Sequence, residues 1–144
     1  MKNTELETLA AVFLSGPGSV ESKKAEKELL AYRNPGFAET LFHLLTREGN
    51  DSHKGALLRI CWENGADFSA FSLALIDMVK LAPWPLAIEA FSVMENNRPD
   101  TFLPEKKEQD LNHILQGFDK LDDQRKAFTG RLIELYENND EDPL

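Results

Sequence analysis

Phe37-Ala38-Glu39-Thr40-Leu41-Phe42-His43-Leu44-Leu45 is the stretch that decides the fold. Ala38, Leu41, Phe42 and Leu45 recur at i, i+3, i+4 and i+7, one stripe of an α-helix. Asn34-Pro35-Gly36 marks a turn before it, and Gly49-Asn50 closes it. Ser52 is the expected cap of the next helix, which carries Leu57, Leu58 and Cys61 and stops at Asn64-Gly65.

The same reading extends both ways. Thr4 with Glu7 forms a capping-box pattern, so a first helix is expected from about residue 5, with Leu6, Leu9, Ala10 and Phe13 as its stripe. Gly16-Pro17-Gly18 ends it. Ser19 caps a second helix through Ala25 and Leu29 to about Tyr32 or Arg33. Beyond residue 66, Ser69 opens a helix bearing Phe71, Ala74, Leu75 and Met78. Pro85 suits the first turn of another, with Ala87, Ala90, Phe91 and Met94, broken at Asn96-Asn97-Arg98-Pro99. Pro104 starts one with Leu111, Ile114, Leu115 and Phe118, and Asp122 or Asp123 caps the last, with Phe128, Leu132, Leu135 and Tyr136. Period-two alternation is missing. The spacing predicts an all-α chain of eight helices in antiparallel pairs.

The pairs repeat. Shifting residues 34–66 onto 67–99, an offset of 33, lays Leu41 on Ala74, Phe42 on Leu75, Leu58 on Phe91 and Cys61 on Met94. Asn64 on Asn97 is the one identity, yet the apolar register survives, as in helix-hairpin repeats. The run Ala25-Glu26-Lys27-Glu28-Leu29-Leu30-Ala31-Tyr32-Arg33-Asn34-Pro35-Gly36-Phe37, followed by Leu41, Leu44 and Leu45, resembles HEAT repeats, and most of all the first repeat of importin-β-like proteins. The opening Ser52-His53-Lys54-Gly55-Ala56-Leu57 is similar to the start of a HEAT B helix, so the match covers residues 19–65. By length the chain is closer to short stand-alone HEAT-like bacterial proteins. The resemblance implies a short α-solenoid of about four helix pairs. Residues 1–137 are expected to form one helical-repeat domain, and residues 138–144 an acidic C-terminal tail.

Composition bounds the function. The 144 residues suit one domain that buries roughly 70% of its unfolded surface. Sixteen Lys and Arg against 25 Asp and Glu leave a net charge of −9, a poor match for phosphate backbones, so no nucleic-acid partner is expected. The single cysteine, Cys61, makes no internal disulfide. No apolar run is long enough for a signal peptide or a membrane span, so a cytoplasmic location without membrane contact is expected.

Motifs for chemistry are missing. GxGxxG, the Walker loop, HExxH, CxxC and GxSxG do not occur. His113 follows Asp110 by three residues, but di-iron bundles need such elements in pairs, and a partly exposed polar face is the simpler reading. His43 and His53 read as surface or boundary residues, and Cys61, between Ile60 and Trp62, as a buried thiol. Asp122 and Asp123 point about 100° apart and do not converge. Lys23, Lys24 and Lys27 interleave with Glu21, Glu26 and Glu28, a mixed solvated face. No catalytic residue, metal site or cofactor is therefore expected.

What remains is a surface. Stacked hairpins leave an extended face of B helices, suited to binding a protein or peptide. Its candidate contacts are Arg59, Trp62 and Glu63, then Glu89, Ser92 and Glu95, with Trp84 in the Pro83-Trp84-Pro85 turn. An acidic surface favours a basic partner. A self-associating structural subunit is the second reading, marked by exposed apolar residues on the first or last helix. An enzyme with an unrecognised pocket is the third. Oligomeric state is not encoded in any of these features.

Overall fold

A computed structural model describes residues 4–137, so the acidic tail lies outside the described residues. Among them are eight α-helices and no strand, as the apolar spacing predicts. The chain divides into two compact units, Met1–Asp67 and Phe68–Leu144, one residue past the seam between the two 33-residue copies.

In the first unit α1 (Thr4–Ser15) and α2 (Val20–Ala31) form one hairpin, and α3 (Phe37–Arg47) and α4 (Asp51–Asn64) the next. Within this unit α1 packs on α3 and α2 on α4. Ser19 caps α2 as expected, its Oγ accepting from the Ser22 N–H at 3.1 Å. The cap of α4 is Asn50, not Ser52. The Asn50 Oδ1 accepts from the N–H groups of Ser52 (2.9 Å) and His53 (3.2 Å), and the Ser52 hydroxyl donates to the same oxygen at 2.8 Å. An amide oxygen has two lone pairs for the open N–H groups, and Ser52 becomes part of the first turn. Leu41, Phe42, Leu45, Leu57, Leu58 and Cys61 are all buried, as their stripes require.

The second unit repeats the plan. A 3₁₀ turn at Ser69–Phe71 precedes α5 (Ser72–Leu81), so Ser69 opens helical structure but the α-helix starts three residues later. There follow α6 (Trp84–Asn96), with Pro85 in its first turn, α7 (Pro104–Leu115) and α8 (Asp123–Glu137). Asp122 caps α8, its Oδ1 accepting from the Arg125 N–H at 2.7 Å. α5 packs on α6, α7 and α8, and α6 packs on α8. Two stripe residues depart from expectation: Phe118 lies beyond the end of α7 in a 3₁₀ turn, and Leu115 is 56% exposed. The buried line of α7 runs through Asp110 and Ile114, four residues apart, and Leu115 lies about 100° around from Ile114.

Side chains close several helix ends. Asn64 Nδ2 donates to the carbonyls of Leu29 (2.8 Å) and Tyr32 (3.0 Å), sealing the end of α2. Lys80 is buried, and its Nζ donates to the carbonyls of His113 (2.9 Å) and Gln116 (2.6 Å) at the end of α7. Arg125 donates to the Val79 carbonyl near the end of α5 at 3.2 Å. Cations at these ends also meet the negative pole of the helix dipole. Gly65 (φ 82°), the cap of the α4 end, and Arg98 (φ 54°), the residue after the Asn97 cap of α6, lie 33 positions apart and are both left-handed.

Candidate functional site

A groove on the first unit brings apolar, charged and hydroxyl-bearing side chains together and is the candidate site. Its walls are α2 and α4, which run parallel: Asn64 reaches the end of α2, and mid-helix the Arg59 guanidinium meets Glu26 at 3.0 Å. The same nitrogen of Arg59 meets Glu63, one turn along α4, at 3.1 Å. Partial burial works against the charge of Arg59, but Glu26 and Glu63 outweigh it and hold the guanidinium above its ordinary pKa.

The groove has a volume of about 450 Å³, within the ~300–1,000 Å³ range of ligand clefts. Phe13, Leu14, Pro17 and Ala56 supply its apolar lining. Lys23, Glu26, Ser52, His53 and Arg59 supply the polar lining. Ser22 ties the wall to α1, its hydroxyl donating to the Phe13 carbonyl at 2.6 Å. His53 Nδ1 lies 3.3 Å from Glu48. Lys23 is exposed, and its side chain has no hydrogen bond or ion pair among the described residues. A second hollow of about 350 Å³ lies against α1 and α3, and Leu14 lines both.

The structure distributes the expected contact residues unevenly. Arg59 lines the groove, and Glu63 stands exposed beside it. Trp62 is half-buried on α4 and does not line the groove. Trp84 packs edge-on against Phe128 at 5.3 Å, with the Arg125 guanidinium 4.1 Å over its ring, so it joins α6 to α8. Ser92 turns back to the Ile88 carbonyl at 3.3 Å, Glu89 is half-buried and Glu95 exposed, all on α6.

Sequence reasoning missed a buried polar cluster in the second unit. Asp110, expected on a partly exposed face, is fully buried. Its Oδ1 accepts from Ser72 Oγ at 2.9 Å and its Oδ2 from Tyr136 OH at 2.7 Å. Lys106 Nζ donates to Ser72 Oγ at 2.7 Å and lies 3.5 Å from Asp110. Burial first, then the bond and charge of Asp110, push the Tyr136 hydroxyl well above the usual tyrosine range. His113 does not share this site; its Nε2 meets Asp77 at 2.9 Å. Ser72 is 1% exposed, so no substrate reaches its hydroxyl, and the cluster acts as a tie between α5, α7 and α8. Asp110 falls on the line of Ile114 at i−4, the signal that would have placed it inside.

Cys61 is buried, and burial alone pushes its thiol far up, away from reactivity. No group of three or more His, Cys, Asp or Glu side chains converges among the described residues. No helix of the described residues is long and apolar enough to cross a membrane. Compared with protein-family models, curated proteins and solved structures, the chain finds no match.

Proposed function

We propose that the chain is a non-enzymatic protein- or peptide-binding scaffold built of HEAT-like hairpin repeats, with the groove between α2 and α4 as its contact surface. The groove carries the reading: an apolar floor beside charged and hydroxyl-bearing side chains is the composition of a recognition cleft. The repeat reading draws on two features. Each unit stacks one hairpin on another, first helix on first and second on second. The spacing of 33 recurs between Glu26 and Arg59, and between Lys80 and the His113 carbonyl.

Charge is unequal between the units. Residues 1–67 hold eight basic and ten acidic side chains; residues 68–144 hold eight and fifteen. Long-range attraction for a basic partner therefore belongs to the second unit. Self-association is the weaker alternative. Leu73, Leu81, Ile88, Leu103 and Leu115 are exposed in the second unit, but no large exposed apolar residue lies on α1 or α8 among the described residues.

The test is capture from the native host with mass spectrometry, using the wild-type chain and an Arg59→Ala/Glu63→Ala variant. Exposed ion pairs contribute about 0–1 kcal/mol, so the variant should melt within a few degrees of wild type. A partner held by wild type and weakened in the variant supports the groove. Undiminished binding places the contact elsewhere.

A further inference from the structure

We infer that the groove recognises the C-terminal residue of a peptide whose last side chain is apolar, with the α-carboxylate held by Lys23. This rests on the peptide-binding reading of the same groove and adds the chemistry of the occupant.

The groove is polarised along its length. Its Arg59 end is internally neutralised, because that guanidinium is already shared between Glu26 and Glu63. The opposite end carries Lys23, whose ammonium has no anionic partner among the described residues. Lys23 stands one turn before Glu26 on α2, so the register that pairs Glu26 with Arg59 sets it opposite Ala56, with Ser52 and His53 one turn nearer the start of α4. Since α2 and α4 run parallel, both present their positive dipole ends on this side. A negative group entering there meets the one unpaired cation of the groove, at helix ends whose first turns already hold Glu21 and Asp51, and the engaged Glu26 is the one carboxylate that lines the groove, with Glu48 behind His53.

The floor sets the second requirement. Phe13, Leu14, Pro17 and Ala56 offer no charge and reward an apolar side chain. A ligand must therefore bring an apolar body and a carboxylate within one residue of each other. The last residue of a chain does this with the least strain, because its side chain and carboxylate leave the same Cα. The unit's own near balance of charge leaves such a ligand unrepelled.

The experiment uses the full ¹⁵N-labelled chain and two probes, N-acetyl-phenylalanine and its carboxamide. Amide shifts should move at Gly18, Lys23, Ser52, His53 and Ala56, with the acid binding about fivefold more tightly than the amide, the scale of one exposed charge pair. Lys23→Gln, an exposed change that spares the fold, should bring the two probes to equal affinity. Ala56→Leu should weaken both by filling the floor. Equal affinities in the wild type, or shifts outside this groove, overturn the inference. A partner that is lost with Ala56→Leu but kept with Lys23→Gln overturns carboxylate recognition and leaves the scaffold reading standing. A partner indifferent to both variants removes the groove from either reading.

Discussion

Cys61 shows how a single buried atom sets a pH dependence. Its thiol is fully enclosed, so the folded chain resists ionisation that the unfolded chain permits from about pH 8.5. The folded pKa lies above the unfolded one. Stability is therefore complete below about pH 8.5 and declines as pH rises toward the folded value, by up to about 1.4 kcal/mol per pH unit. Tyr136 adds the same sign above about pH 10. Urea unfolding from pH 7 to 10 checks this: Cys61→Ala should cost about 1–2 kcal/mol at neutral pH and then decline less steeply than wild type. Parallel curves would reject the role of the thiol. Asp110 is the costlier position. Truncation to Ala leaves Ser72, Lys106 and Tyr136 without their shared acceptor, and should destabilise the second unit by about 3–5 kcal/mol. Tyr136→Phe removes one bond only and should cost about 1–2 kcal/mol in the same measurement.

At the scale of elements, the caps and breakers were readable because each acts on its own neighbours. Ser19, Pro85, Pro104 and Asp122 all sit where local chemistry puts them. Asn50 displaced Ser52 because residues two apart compete for one cap, and only geometry decides between them. Gly65 gives a test of a helix end. It is left-handed, and a Cβ there would meet nothing within 4 Å, so Gly65→Ala costs backbone strain alone. Urea unfolding should show a loss of about 1–2 kcal/mol. No loss would mean that the α4 end relaxes into another turn.

The long-range contacts were harder to read, and they determine the candidate site. The offset of 33 runs backward as well as forward from residues 34–66. Applied backward, it lays Glu26 on Arg59, the pair that closes one end of the groove. Lys80 and Asp110 stayed hidden because their charge assigns them to solvent even on a buried line, whereas a charge with two or more partners tolerates burial. At the scale of the whole molecule, a net charge of −9 makes copies repel one another at neutral pH, and the isoelectric point lies near 4.8. Static light scattering should give net repulsion at pH 7 that passes to attraction as the pH nears 4.8. Attraction already present at pH 7 in low salt would point to self-association through the exposed leucines of the second unit.

The borrowed helix ends have a consequence in time. During synthesis α2 leaves the ribosome before the residue that seals it: Asn64 follows Leu29 by 35 positions. At ~5–20 residues per second this seal comes roughly two to seven seconds late, and until then the end of α2 relies on the Tyr32 N–H and the Arg33 guanidinium beside it. The end of α5 waits longer, since Arg125 trails Val79 by 46 positions. The end of α7 does not wait, because Lys80 is already made when His113 and Gln116 emerge. Newly made α2 and α5 are thus the segments most open to fraying and to proteases, and α7 closes as soon as it is complete.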